Sequence, residues 1–98
     1  MKSGLTKKDI EVIQKTLSKF PEVKSAIIFG SRALGNYKKG SDIDLALKGD
    51  LTPELISQIQ YQMEEETNLP YFFDVVDYGS IEKQALLEHI DQYGKKLI

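Results

Sequence analysis

Three short runs rich in apolar and β-branched residues divide the chain: VKSAIIF at 23–29, DIDLAL at 42–47 and YFFDVVD at 71–77. Each is too short to stand as a helix and is bounded by Pro, Gly or Ser, so each reads as a strand. The segments around them carry a different period. Thr6 and Asp9 form a capping-box pattern, and Ile10, Ile13, Leu17 and Phe20 then recur at helical spacing, giving a helix over about 6–19 stopped by Pro21. Residues 31–35 allow a brief helical turn before the polar loop NYKKGS. Thr52-Pro53 is a helix start, Leu55, Ile56, Ile59 and Met63 form its apolar stripe, and Asn68 to Pro70 end it. A last helix over about 81–92 turns Ile81, Ala85, Leu86 and Ile90 inward, Gly94 ends it, and KKLI adds a short final strand. Strands alternating with helices in this order predict an α/β (α+β) domain spanning 1–98, with a sheet of three to four strands flanked by helices. Strand direction is not readable from the pattern.

Composition removes several kinds of chemistry. The sequence has no cysteine, which excludes disulfides and thiolate metal sites, and its one histidine, His89, excludes a site needing two imidazoles. A formal charge of −2 gives no bulk attraction to nucleic acid or to an anionic membrane, so no direct nucleic-acid binding is expected. No run approaches membrane-spanning length, and MKSGLTKKDIEV lacks the apolar core of a signal peptide, so a cytoplasmic protein with no membrane partner is expected.

What remains is carboxylate chemistry. Alternation along DIDLAL puts Asp42, Asp44 and Ala46 on one face and Ile43, Leu45 and Leu47 on the other. Same-face neighbours on a strand lie roughly 6 to 7 Å apart, where two full charges repel by about 2 to 3 kcal/mol at an effective dielectric of about 20. A divalent cation relieves that repulsion, and carboxylate oxygens are the ligands Mg²⁺ prefers. A third acid is expected from a neighbouring strand. Asp74, in mid-strand, is favoured over Asp77, which sits at the strand end where Asp commonly starts a turn. Upstream, Gly30 ends a strand and lets backbone approach a ligand closely. If 31–35 is helical, its free N–H groups with the Ser31 hydroxyl make an anion site facing the acids. No GxxxxGK[ST] occurs, so this is not a Walker loop.

The segment GSRALGNYKKGSDIDLAL resembles the Gly-Ser…Asp-x-Asp element of nucleotidyltransferases of the DNA polymerase β superfamily, and more narrowly the stand-alone minimal nucleotidyltransferase (MNT) domains. The resemblance runs from the first helix through FFDVVD, which matches the segment carrying that family's third acid. It implies a mixed sheet flanked by helices and transfer of a nucleoside monophosphate from an NTP with Mg²⁺. It implies that Asp42 and Asp44 bind metal, one or two ions, and that Asp74 helps activate the acceptor. Gly30 and Ser31 would hold phosphate, with Arg32 as a further nucleotide-binding candidate. Such domains are typically paired with a helical HEPN toxin, to whose tyrosine hydroxyl they transfer AMP from ATP as the antitoxin. Two alternatives stay open: transfer to a small hydroxyl compound such as an aminoglycoside, and a catalytically silent antitoxin that acts by contact.

Every element is needed to build the core, so the acceptor surface is expected from another chain, a second copy or a different protein. Lys38 and Lys39 read most simply as a solvated turn, His89 as exposed, Phe29, Phe72 and Phe73 as core, and the acids of EEET at 64–67 as a solvated helix end.

Overall fold

The structure is a computed structural model that describes residues 3–98. Helix α1 (Lys7–Leu17) begins at the expected capping box: Thr6 Oγ1 accepts the Asp9 N–H at 3.0 Å and the Asp9 carboxylate accepts the Thr6 N–H at 3.0 Å. Strand β1 (Val23–Phe29) leads at Gly30 into the single turn α2 (Ser31–Leu34), and strand β2 (Ile43–Gly49) follows the polar loop. Helix α3 (Pro53–Glu65) starts where Thr52 Oγ1 accepts the Leu55 N–H at 3.1 Å. Strand β3 (Phe73–Asp77), helix α4 (Gln84–Tyr93) and the two-residue strand β4 (Lys95–Lys96) complete the chain.

The sheet has the order β3-β2-β1-β4. β1 pairs antiparallel with β2 and with β4, whereas β2 and β3 run parallel. A parallel neighbour cannot be reached through a tight hairpin, and α3 makes the crossover. The sheet is therefore mixed, as the resemblance implied. β4 gains further anchorage past its two paired residues, since Leu97 N–H donates to Ala26 C=O at 2.7 Å and Gln14 of α1 donates to Leu97 C=O at 2.9 Å.

Alternation decides what covers each face. Ile43, Leu45 and Leu47 of β2 join Ala26 and Ile28 of β1 and Phe73 and Val75 of β3 in one core, closed by Ile13 and Leu17 of α1 and Ile59 and Met63 of α3. The opposite face holds a smaller cluster of Phe29, Ala46 and Ile90, with Ile27, Val76 and Leu86 packed against it. Helix α4 thus lies on the face that also carries Asp44.

Four expectations need correction. The last helix starts at Gln84 rather than near 81, because Asp77 caps a tight 3₁₀ turn over Tyr78–Ser80, accepting the Gly79 N–H and the Ser80 hydroxyl at 3.0 Å each. Ala85 faces solvent, because the inward stripe of α4 is Leu86, His89 and Ile90. Phe29 and Phe73 are buried, but Phe72 is 72% exposed. It precedes the first residue of β3 and has no helix over it. Within EEET, Glu64 does more than meet water: its carboxylate accepts the Phe73 N–H at 2.7 Å, beside Gln60, which accepts the Val75 N–H at 3.2 Å. The two side chains occupy the outward amides of an edge strand that has no neighbour on that side.

Candidate active site

The parallel pairing of β2 and β3 puts Asp44 directly opposite Asp74. Side chains at paired positions point to the same face, so two carboxylates from distant parts of the chain stand on adjacent strands, about 4.8 Å apart at the backbone. Asp42 precedes Asp44 by two residues, just before β2 begins, and is exposed. Asp77 lies at the other end of β3 with its carboxylate occupied in the 3₁₀ turn.

On the other side of Asp44 is the turn after β1. Phe29 pairs with Asp44 across the antiparallel ladder, which brings Gly30 against the Asp44 carboxylate. A Cβ on Gly30 would run into Asp44 Oδ2, and its φ of 76° is one that other residues rarely adopt. The glycine therefore answers two demands, a close approach and a left-handed backbone. Ser31 opens α2, whose first intrahelical bond is Leu34 N–H to Gly30 C=O at 3.1 Å. The Ser31, Arg32 and Ala33 amides precede that bond, as first-turn amides do, and are the donors that a helix leaves for a ligand.

The electrostatics of the cluster follow from its crowding. Asp44 is half-buried, and its pKa is raised from 3.8 to about 6. Burial is the main cause, and the charges of Asp74 and Asp42 add to it, while a positive charge on His89 would act in the opposite direction. Among the described residues no three acidic or imidazole side chains are gathered into a ready-made metal cage. The donor chemistry nevertheless fits a hard cation: carboxylate oxygens whose mutual repulsion adds to burial in raising the Asp44 pKa, beside a turn with amide donors.

Arg32 does not join them. It is only 3% exposed; Nε and Nη2 donate to Ser41 C=O at 3.1 and 2.9 Å, and Nη1 donates to Ser3 C=O at 2.8 Å. Its guanidinium packs against the rings of Tyr37 and Tyr71, 5.0 and 4.8 Å from their centroids. With those donors engaged and the side chain buried, it is not open to a phosphate, contrary to the expectation of nucleotide contact. What it does is tie down the loop immediately before Asp42. Lys38 and Lys39 are exposed in that loop.

His89 corrects the sequence reading in the other direction. It is partly buried, and its Nε2 accepts the Gly30 N–H at 2.9 Å. The Leu86-His89-Ile90 spacing, i, i+3 and i+4, could have placed it on the inward stripe. Its partner could not have been found without the fold.

Comparison with known proteins agrees with this arrangement. The sequence matches the family described as Polymerase beta, Nucleotidyltransferase over residues 11–98. Comparison with curated proteins by sequence found no match. Among solved structures, the chain is similar to one of a toxin–antitoxin with AMP-PNP, at TM-score 0.78 and 25% identity, covering 92% of this chain and 73% of that one. It is similar to one of the toxin–antitoxin MntA-HepT, at TM-score 0.73 and 22% identity, covering 95% and 72%. A third is the tri-AMPylated Shewanella oneidensis HEPN toxin in complex with MNT antitoxin, at TM-score 0.69 and 23% identity, covering 91% and 68%. The mixed sheet flanked by helices is that of a polymerase β-like fold, and the chain belongs to the Polymerase beta nucleotidyltransferase family.

Proposed function

We propose that this chain transfers AMP from ATP to a hydroxyl of a partner protein, a tyrosine of a HEPN-type toxin, and so acts in the cytoplasm as the antitoxin of that pair. The observation that carries the reading is the register that stands Asp74 beside Asp44, with Gly30 against the same carboxylate. It sets an acid from each of two strands next to a turn suited to phosphate, in a chain of a nucleotidyltransferase family. The partner and the transferred group are suggested by the structures of a toxin–antitoxin with AMP-PNP and of a tri-AMPylated HEPN toxin with MNT antitoxin.

In this reading the Ser31 hydroxyl and the first-turn amides of α2 hold the β- and γ-phosphates. Asp42 and Asp44, with Asp74, would hold Mg²⁺, which supplies charge neutralisation for the triphosphate when bound. Asp74 takes the proton of the acceptor hydroxyl as its oxygen attacks the α-phosphorus in line. The new O–P bond forms, the bridging bond to the β-phosphate breaks, and pyrophosphate leaves with the electron pair. Asp42 and Asp74 are exposed, so the acids sit on an open surface that a folded protein acceptor can reach. That exposure favours a protein over a small acceptor, which needs enclosure to be held.

The test is to co-express the chain with the product of its neighbouring gene and weigh that partner intact, before and after adding Mg·ATP. A gain of one or more AMP units, absent with Asp42→Asn, is expected. A complex that forms without any mass gain would replace transfer with neutralisation by contact.

A further inference from the structure

Gly30 is held from two directions. Its Cα lies against the Asp44 carboxylate, and its N–H donates to His89 Nε2 at 2.9 Å, a bond that reaches from β1 to α4. The imidazole is itself fixed: Phe29 meets it edge-on, ring centroids 6.2 Å apart at 76°, and Tyr93 lies tilted against it at 5.6 Å. Accepting at Nε2 requires the neutral ring with its proton on Nδ1. The Gly30 amide is therefore engaged by the imidazole of α4 and cannot serve a phosphate while this bond stands. Nothing in Gly30 itself enforces its φ of 76° and ψ of −153°, because glycine is permissive. An acceptor at a fixed place does enforce it.

We propose that His89 is the positioning residue of the Gly30-Ser31 turn. By holding the Gly30 amide it fixes the tilt of the turn, and with it the separation between the Ser31 donors and the Asp42/Asp44 carboxylates. His89 acts through Gly30 and touches neither nucleotide nor acceptor. The inference rests on the nucleotidyl-transfer reading for its consequence in catalysis, though not for the hydrogen bond itself. It also gives α4 a purpose beyond covering the sheet, since the helix carries a side chain that holds the turn.

Two variants separate the acceptor from the bulk of the ring. His89→Leu keeps apolar volume and loses the acceptor, whereas His89→Gln offers an amide oxygen near the place of Nε2. Amide hydrogen exchange at Gly30 is read by NMR on the chain alone, and the steady-state constants for Mg·ATP are read with the acceptor protein. Loss of one such bond predicts for His89→Leu an exchange rate at Gly30 up by about tenfold and a KM for Mg·ATP up by about tenfold, with kcat changed by less than about threefold. His89→Gln should return both to within about twofold of the parent chain. Unchanged Gly30 exchange and KM in His89→Leu would overturn the inference. Equal impairment of both variants would overturn it too, because the ring's packing and not its acceptor would then matter. If the parent chain fails to turn over Mg·ATP, the transfer reading falls, and Gly30 exchange in the two variants still decides the positioning.

Discussion

Asp44 shows how a single residue can be tuned by its neighbours and what that does to the fold. Its pKa in the folded chain, about 6, lies above the 3.8 of an unperturbed carboxyl, so the native state holds this proton more tightly than the unfolded state does. The sign follows: Asp44 costs no stability below about pH 4, costs progressively more as pH rises from about 4 to 6, and costs a constant amount above that. Two units would correspond to about 3 kcal/mol, but the group is only half-buried, and solvent screening reduces this to about 1 kcal/mol. Asp44→Asn should therefore melt higher than the parent chain at pH 7.5 without metal, by about 4 to 8 °C, with the gap closing below pH 4. Thermal melts across pH would show it, and a variant that melts lower at pH 7.5 would refute the electrostatic account. Added Mg²⁺ should raise the melting temperature of the parent chain and not that of the variant. Arg32 carries the opposite lesson. A charged residue next to Gly-Ser looks in sequence like a phosphate ligand, yet its partners are the carbonyls of Ser3 and Ser41 and the rings of Tyr37 and Tyr71. Nothing local to Arg32 announces Tyr71 or Ser3, so its burial was not legible from its neighbours. Replacing it with Ala should destabilise the fold by about 2 to 4 kcal/mol in urea titrations, leaving two carbonyls unpaired in a partly buried site. An Arg32→Ala variant of full stability with a raised KM for ATP would restore the nucleotide role.

At the level of elements, period was readable and adjacency was not. The alternation of DIDLAL separated the acid face from the core face, and the apolar stripes of α1 and α3 lie where their spacing put them. Whether Asp74 meets Asp44 depended on β3 lying parallel beside β2, which no single strand encodes. The start of α4 was misplaced for a local reason: Asp77 captures Gly79 and Ser80, and the chain stays extended at Ile81 before the helix begins. The outer edge of β3 raises a question that sequence also left open, namely what answers its free amides. Glu64 and Gln60 do so from α3, which makes the helix both the crossover and the guard of the edge. Glu64→Ala removes the acceptor of the Phe73 amide and should lower stability by about 1 to 2 kcal/mol. It should also expose the edge, so concentration-dependent association is expected on size-exclusion chromatography beside the urea midpoint. A monomer of unchanged midpoint at high concentration would show that the edge needs no guard.

Seen whole, the molecule puts its chemistry at one end of the sheet and leaves that end uncovered. Gly30 closes β1, Asp42 precedes β2, and Phe72, immediately before β3, accepts the Ile43 N–H through its carbonyl at 2.9 Å. Phe72 thus continues the β2/β3 ladder into the acid site and is, among the described residues, the most exposed large apolar one. An aromatic ring left in water at that place is unexplained by the fold, because truncating it removes no core contact. In the proposed transfer, an acceptor protein that presents a hydroxyl to Asp74 across the end of β3 passes over this ring, which then gives that protein an apolar foothold beside the reacting atoms. Burying a Phe side chain is worth about 2 kcal/mol, so Phe72→Ser should weaken the complex with the acceptor protein by about thirtyfold. Because the ring has no core role, the variant should keep the parent melting temperature and its affinity for Mg·ATP. Calorimetric titration of the partner into each chain, with melts alongside, separates the outcomes. Parental affinity for the partner in Phe72→Ser would mean that the acceptor approaches from the α4 side, over Tyr93, and not across the end of β3.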